Sequence, residues 1–118
     1  MAGSDPAHRP EHWRLDAHGD DLAQLDIPAH ASRERTFEIF CTFSATRSEN
    51  ARAHLGLRVL IDGAQQWARR VSISDGTSDS LDVRLRRTVP VGAPLRIAAV
   101  GSVEDALPWR LSISADED

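Results

Sequence analysis

The chain lacks lysine and tyrosine altogether, and it has a single cysteine, Cys41, among its 118 residues. All 14 basic residues are therefore arginines, a bias that is typical of a GC-rich genome. A single cysteine excludes an intrachain disulfide and suits a reducing compartment. We therefore expect a cytoplasmic protein.

Long hydrophobic runs are also absent. No apolar stretch approaches the roughly 20 residues that span a bilayer, and the opening segment MAGSDPAHRP lacks the apolar centre of a secretory signal. The formal net charge is −4, whereas domains that bind duplex nucleic acid are usually strongly basic. We therefore expect neither a membrane nor duplex nucleic acid as a partner.

Motifs for catalysis and for cofactor binding are missing as well. The serines show no nucleophile-elbow pattern, and the glycines form neither a phosphate loop nor a dinucleotide fingerprint. His8 and His12 have a spacing that metal ligands use, but a proline between them prevents one regular helix face. Asp75, Asp79 and Asp82 offer carboxylates that suit calcium, without a recognised calcium-loop spacing. We expect no enzyme, no cofactor and no metal site.

What the chain does contain is a regular alternation of apolar and polar residues from Phe37 to Ile113. Successive side chains of a strand point to opposite faces, so each run has one apolar face and one polar face. Four runs keep their apolar residues on one parity: Phe37, Ile39, Cys41 and Phe43; Leu55, Leu57, Val59 and Ile61; Leu81, Val83 and Leu85; and Leu107, Trp109, Leu111 and Ile113. This pattern predicts an all-β fold, an antiparallel β-sandwich of seven to eight strands.

The pattern also predicts how the chain is divided. Residues 1–11 are small, proline-containing and without periodicity, which predicts a disordered tail before one sandwich domain at 12–118. Leu22–Ile27 fits either a strand or a short helix, and residues 46–53 fit one helical turn. The acidic end, residues 115–118, is expected to lie free in solvent. A closed barrel is the alternative to the sandwich.

Two turn signals stand out between the runs. Asp62 and Gly63 predict a tight hairpin, because glycine takes a positive φ without steric cost. The segment Val89–Pro94 contains two prolines and a glycine and predicts a turn between two neighbouring strands.

Several segments together carry a resemblance to a known family. They are Phe37-Glu38-Ile39-Phe40, the hairpin that ends in Asp62-Gly63, Trp67, and Val89-Pro90-Val91-Gly92 before Leu95-Arg96-Ile97. In this succession the chain resembles the galactose-binding-like jelly-roll domains, which include small non-catalytic carbohydrate-binding modules. The likeness covers residues 36–113. It implies a jelly-roll sandwich that binds a carbohydrate.

A set of arginines takes the parity opposite to the apolar face of its strands. On neighbouring strands these arginines would form an outer face that binds carboxylate, phosphate or sulfate. The strongest candidates are Arg84, Arg86 and Arg96, because the Val89–Pro94 turn would join their strands into an antiparallel pair. The alternatives are a solvated face with pairs inside the chain, or arginines divided between two outer faces. The whole set is Arg58, Arg70, Arg84, Arg86, Arg96 and Arg110.

Aromatic residues supply the remaining candidates. Phe40 breaks the alternation and places a ring on the polar face, where it would either be covered by the N-terminal segment or contact a partner. Trp67 lies near the hairpin tip, where a ring either joins the core or stays exposed, whereas Trp109 is expected in the core. We therefore predict a non-catalytic module that binds a protein partner or a second copy of itself. The alternative is a carbohydrate- or anion-binding module. The predicted binding residues are Arg84, Arg86, Arg96, Phe40 and Trp67.

Overall fold

The computed structural model describes residues 9–47, 53–73 and 78–118, which form eight β-strands and no helix. These described residues thus contain no helix long and apolar enough to cross a membrane. The predicted all-β fold is confirmed. The segment Leu22–Ile27, which fitted either a strand or a short helix, is a strand. The strands are β1 (His12–His18), β2 (Leu22–Ile27), β3 (Arg35–Arg47), β4 (His54–Ile61), β5 (Ala64–Ser72), β6 (Ser78–Val89), β7 (Leu95–Glu104) and β8 (Ala106–Glu117).

The strands build two antiparallel sheets of four strands each. The first sheet has the order β1-β8-β3-β6, and the second has the order β2-β7-β4-β5. Among the described strands, only β4 and β5 are both consecutive in the chain and paired as neighbours, so every other connection crosses between the sheets. Two four-stranded sheets connected in this way form a jelly roll, and that prediction is confirmed.

The core lies between the two sheets and consists of the inward side chains predicted by the alternation. On β3, Phe37, Ile39, Cys41 and Phe43 are all at most 1% exposed. Gly101 on β7 leaves the space that the Phe43 ring occupies, since a Cβ there would lie 2.5 Å from two ring carbons. The close approach of the sheets at this point therefore requires a residue without a side chain.

The hairpin between β4 and β5 has the predicted turn. Asp62 has a φ of 50° and Gly63 a φ of 84°, as a two-residue turn with two left-handed positions requires. A register shift between Val59 and Leu60 marks a bulge close to this turn.

The predicted burial of Trp109 is wrong, and a bulge in β8 is the reason. Opposite β3, Ser44 pairs with Arg110 and Ala45 pairs with Pro108, so Trp109 is an extra residue in its strand. The parity of β8 therefore changes at this point. Trp109 is 57% exposed and Leu107 is 67% exposed, although both share the sequence parity of the buried residues that follow.

Glu11, near the start of the described residues, and Glu117, near their end, meet Arg33 and Arg35, and we call these four charged residues the terminal cluster. Arg35 is 2% exposed; it donates to Glu11 over 2.8 Å and to the carbonyl oxygen of Pro28 over 2.9 Å. Arg33 donates to Glu11 over 2.9 Å and also to Glu117. The prediction that the acidic end lies free in solvent is therefore wrong for Glu117, because its inward parity brings its carboxylate between the sheets.

The predicted tail, the predicted helical turn and the carboxylates considered for calcium lie only partly within the described residues. Residues 1–8 of the tail, residues 48–52 of the helical turn and the carboxylate-bearing Asp75 lie outside them. Glu11, at the predicted end of the tail, belongs to the fold. Its backbone N–H donates to the Glu117 carboxylate over 3.0 Å, and its carbonyl oxygen accepts from the Glu117 N–H over 2.8 Å.

Candidate partner-binding edge

The outer face of the first sheet carries Arg84 and Arg86 on β6, as the alternation predicted. Arg86 lies opposite Glu38 on β3 and approaches its carboxylate to 3.5 Å. Arg86 also pairs with Asp118 at the end of the chain. The charge of Arg86 is therefore neutralised inside the molecule, which agrees with the alternative of internal pairs.

Phe40 lies on the same outer face and contacts Arg84 directly. The two residues are register partners on β3 and β6, and the guanidinium carbon of Arg84 lies 4.7 Å from the ring centroid. This contact half-buries the ring and gives Arg84 a cation–π partner instead of a carboxylate. The Phe40 ring is thus partly covered by the Arg84 guanidinium and does not form an isolated apolar patch.

Arg96 does not lie beside these two arginines, and the prediction that the three share a face is wrong. The connection at Val89–Pro94 crosses from the first sheet to the second, so β6 and β7 are not paired. On the outer face of the second sheet, Arg96 donates to Asp26 over 2.8 Å. This hydrogen bond holds the pKa of Asp26 below its ordinary value.

A pocket of about 550 Å³ lies beside Arg96 at the hairpin end of the second sheet. Its polar groups already bind one another, since the side chain of Asp62 accepts from the backbone N–H of Arg96 over 2.9 Å. An anion in this pocket would compete with Asp26 for the guanidinium. The lining residues are Asp26, Ile27, Pro28, Asp62, Gly63, Pro94, Leu95 and Arg96.

Trp67 lies on β5 with its side chain toward the core. It is partly buried and packs against the buried cluster, together with Val71 of the same strand. Both lie on an edge strand, because β5 pairs with β4 on one side only. Trp67 therefore belongs to the border between the core and the open side of the sandwich.

The open side of the sandwich is formed by β5 and β6, and we call it the basic edge. Here β6 packs chiefly across onto β4, whereas β1 packs onto β2 at the opposite side. The inner face of this edge is therefore incompletely covered, so Arg69 is exposed and Arg87 is half-buried even though both have the inward parity. Inward-pointing charges on edge strands oppose pairing with an uncharged strand, whereas an incoming strand that carries a carboxylate would meet them with a complementary charge.

Three guanidinium groups of the basic edge have no carboxylate partner among the described residues: those of Arg69, Arg84 and Arg87. Most strand arginines elsewhere are paired, such as Arg14 and Arg110 with Asp16. Unpaired positive charge is therefore concentrated on one side of the molecule. Carboxylates of a partner would satisfy it.

Sequence reasoning missed Arg69 and Arg87 as site residues. A signal was present, because Arg69 shares its parity with Trp67 and Val71, and a charge on an apolar parity indicates an incompletely covered edge. Parity cannot show which strands are edges, and that information comes only from the sheet order.

Other chemically reactive groups in the described ranges do not come together in a site. Cys41 is fully buried, as its apolar parity predicted, and this burial raises the pKa of its thiol to about 12. Within the described part of the chain, no group of three or more His, Cys, Asp or Glu side chains is arranged to hold a metal ion.

Comparisons with known proteins concern the fold. No family model and no curated protein matches the sequence. Among solved structures, part of dimeric latent PorU from Porphyromonas gingivalis is similar, with a TM-score of 0.50 and 13% identity; the match covers 92% of this chain and 13% of the PorU chain.

Two virus structures are similar at lower scores. Infectious bursal disease virus Gt strain matches with a TM-score of 0.46 and 14% identity, over 98% of this chain and 37% of the viral one. The VP2 subviral particle of infectious bursal disease virus matches with a TM-score of 0.48 and 14% identity, over 98% and 36%. The chain thus spans much less than the full length of all three. The jelly-roll fold that the family resemblance implied is confirmed by the strand order of the two sheets, whereas membership of the galactose-binding-like family and sugar binding stay predictions.

Proposed function

We propose that this chain is a non-catalytic protein-binding module and that the basic edge is its binding surface. The observation that carries the proposal is the set of three guanidinium groups, on Arg69, Arg84 and Arg87, without a carboxylate partner among the described residues. They lie where both sheets end, so backbone groups of β5 and β6 are also free to pair with an extended segment. The partner surface is therefore acidic.

The carbohydrate- or anion-binding alternative has less support. It needs several arginines on one face, but Arg96 lies on the second sheet and Arg84 on the first. The pocket beside Arg96 has a suitable volume, about 550 Å³, for a small ligand. The guanidinium of Arg96, however, already binds the Asp26 carboxylate at 2.8 Å. The predictions of a cytoplasmic location and of no duplex nucleic acid or membrane partner stay predictions.

The proposal is tested with a fluorescently labelled oligoglutamate peptide, whose anisotropy reports binding. Replacing Arg69, Arg84 or Arg87 singly by Glu should in each case weaken binding by about tenfold or more, because the peptide carboxylates would then face a like charge. Added salt should weaken binding to the unmodified chain.

The matched control is Arg58→Glu, which makes the same charge change at an exposed arginine of the inner strand β4. This variant should bind the peptide like the unmodified chain. Equal weakening by all four single Arg→Glu variants would show that only net charge matters and would overturn the assignment of the edge. Absence of peptide binding by the unmodified chain would overturn the proposed function.

A further inference from the structure

We propose that the acidic partner of the basic edge is a second copy of this chain, bound through its opposite edge so that β5 of one copy pairs with β2 of the next. This proposal rests on the proposed function and names its partner. It follows from the distribution of charge, from strand direction and from the register of the second sheet.

Charge is separated between the two sides of the sandwich. Strands β5 and β6 carry five arginines and two aspartates. The opposite side, β1 and β2 with the turn between them, carries four aspartates and one arginine over residues 12–27, and we call it the acidic edge. Two of its aspartates, Asp20 and Asp21, make no ion pair with any described residue. The two edges are therefore complementary in charge.

Strand direction permits the edges of neighbouring copies to pair. Each sheet has four strands, and each described pair of neighbours is antiparallel. The two edge strands of a sheet consequently run in opposite directions. A second copy placed beside the first in the same orientation therefore presents β2 antiparallel to β5, which continues the sheet without reversing either copy.

The register of the second sheet aligns the unpaired charges. Arg69 on β5 pairs in register with Leu57, and Leu57 pairs with Gly101. The backbone N–H of Gly101 donates to the carbonyl oxygen of Asp21 over 2.7 Å. Arg69 and Asp21 thus lie in one cross-strand row at opposite edges of the same sheet, so Arg69 of one copy meets Asp21 of the next when the rows continue.

The neighbouring row ends in an apolar residue at each edge of the sheet. Ala68 pairs with Arg58, Arg58 pairs with Val100, and Val100 pairs with Leu22. Leu22 begins β2 and is 59% exposed. Beside the same corner, the carbonyl oxygen of the exposed Trp109 accepts from the N–H of Gly19. Because successive residues of a strand face opposite sides, Ala68 and Leu22 of neighbouring copies would meet on the outer face of the joined sheet, while Arg69 and Asp21 would meet on its inner face.

The assembly joins unlike edges, so each added copy leaves one basic and one acidic edge free. Such a contact does not stop at a dimer but continues into rings or filaments. Sedimentation velocity of the full chain should therefore show a sedimentation coefficient that rises with concentration beyond the dimer value and falls back toward the monomer at high salt.

Charge exchange tests the proposed pair directly. Arg69→Glu alone and Asp21→Arg alone should each abolish the concentration-dependent rise, because like charges then meet. The double variant Arg69→Glu/Asp21→Arg should restore it. Arg58→Glu, one row away on an inner strand, should associate like the unmodified chain, and near-UV circular dichroism should be unchanged in every variant.

The outcomes separate this proposal from the proposed function. A chain that stays monomeric at all concentrations overturns the second-copy proposal, and if it still binds oligoglutamate through Arg69, the proposed function stands. Association that neither charge reversal nor salt alters overturns the pairing of Arg69 with Asp21. The salt series on the unmodified chain tests this pairing even if a variant fails to fold.

Discussion

In the terminal cluster, Arg35 is 2% exposed and its guanidinium meets a carboxylate and a carbonyl oxygen. At the basic edge, Arg69 is exposed and its guanidinium meets no carboxylate among the described residues. Burial makes a missing partner costly, whereas water solvates an exposed charge. An arginine side chain thus stabilises the fold in the terminal cluster, whereas at the basic edge it is available to bind a partner.

The largest loss of stability is expected when the buried interactions of Arg35 are removed. Arg35→Ala removes the guanidinium that Glu11 and the carbonyl of Pro28 share, and it leaves both acceptors short of a donor. We expect the free energy of unfolding to fall by about 3–5 kcal/mol, the usual cost of breaking a buried pair. Urea denaturation measures this change, and a loss below about 1 kcal/mol would show that the cluster is solvated.

The second prediction concerns pH. Burial raises the pKa of Glu11, but hydrogen bonds from Trp13 and Arg35 and the charges of Arg35 and Arg33 outweigh it and lower the pKa overall. The unfolded chain therefore binds the proton more tightly. Glu11 stabilises the fold above its ordinary pKa of 4.5 and loses this contribution as pH falls through the lower folded value.

Replacing Glu11 by Gln isolates this contribution. The variant should be less stable than the unmodified chain near neutral pH, by about 1–3 kcal/mol for lost charged hydrogen bonds. The difference should shrink as pH falls below 4.5. Denaturation midpoints of both chains across this range provide the measurement, and a difference independent of pH would contradict the prediction.

The smallest effects are expected at the basic edge. Arg84→Ala removes the contact with the Phe40 ring at 4.7 Å and should lower the free energy of unfolding by about 0.5–1 kcal/mol. Arg69→Ala, its matched comparison on the other edge strand, should change stability by less than about 0.5 kcal/mol. Thermal denaturation of the two variants side by side would contradict this order if Arg69→Ala proved the more damaging.

The sequence predicts much of this fold, because alternation reports directly which side chains face the core. Alternation fails as a guide where an extra residue shifts the strand register. The bulge at Trp109 exposes Leu107 and Trp109, although no neighbouring residue in the sequence indicates this change of face. The sequence also does not predict the path of the chain at Val89–Pro94. The prolines and glycine there suit a hairpin as well as they suit a crossing between the two sheets, and the chain crosses.

The candidate site was less accessible to sequence reasoning. The outward positions of Arg84 and Arg86 follow from parity, but their separation from Arg96 depends on which sheet each strand joins. The exposure of Arg69 and Arg87 depends on how far one sheet covers the other. Both are long-range properties, and no local pattern of residues records them.

The pairing of β1 with β8 has a consequence for how the chain folds during synthesis. His12 lies opposite Asp116, 104 residues further along the chain, so β1 finds its partner only after β8 has been synthesised. Contacts between residues so distant in sequence form slowly, because the loop between them must close first. An emerging chain therefore exposes the apolar side of β1 until β8 has emerged, and a chain shortened before β8 loses the central partner of both β1 and β3.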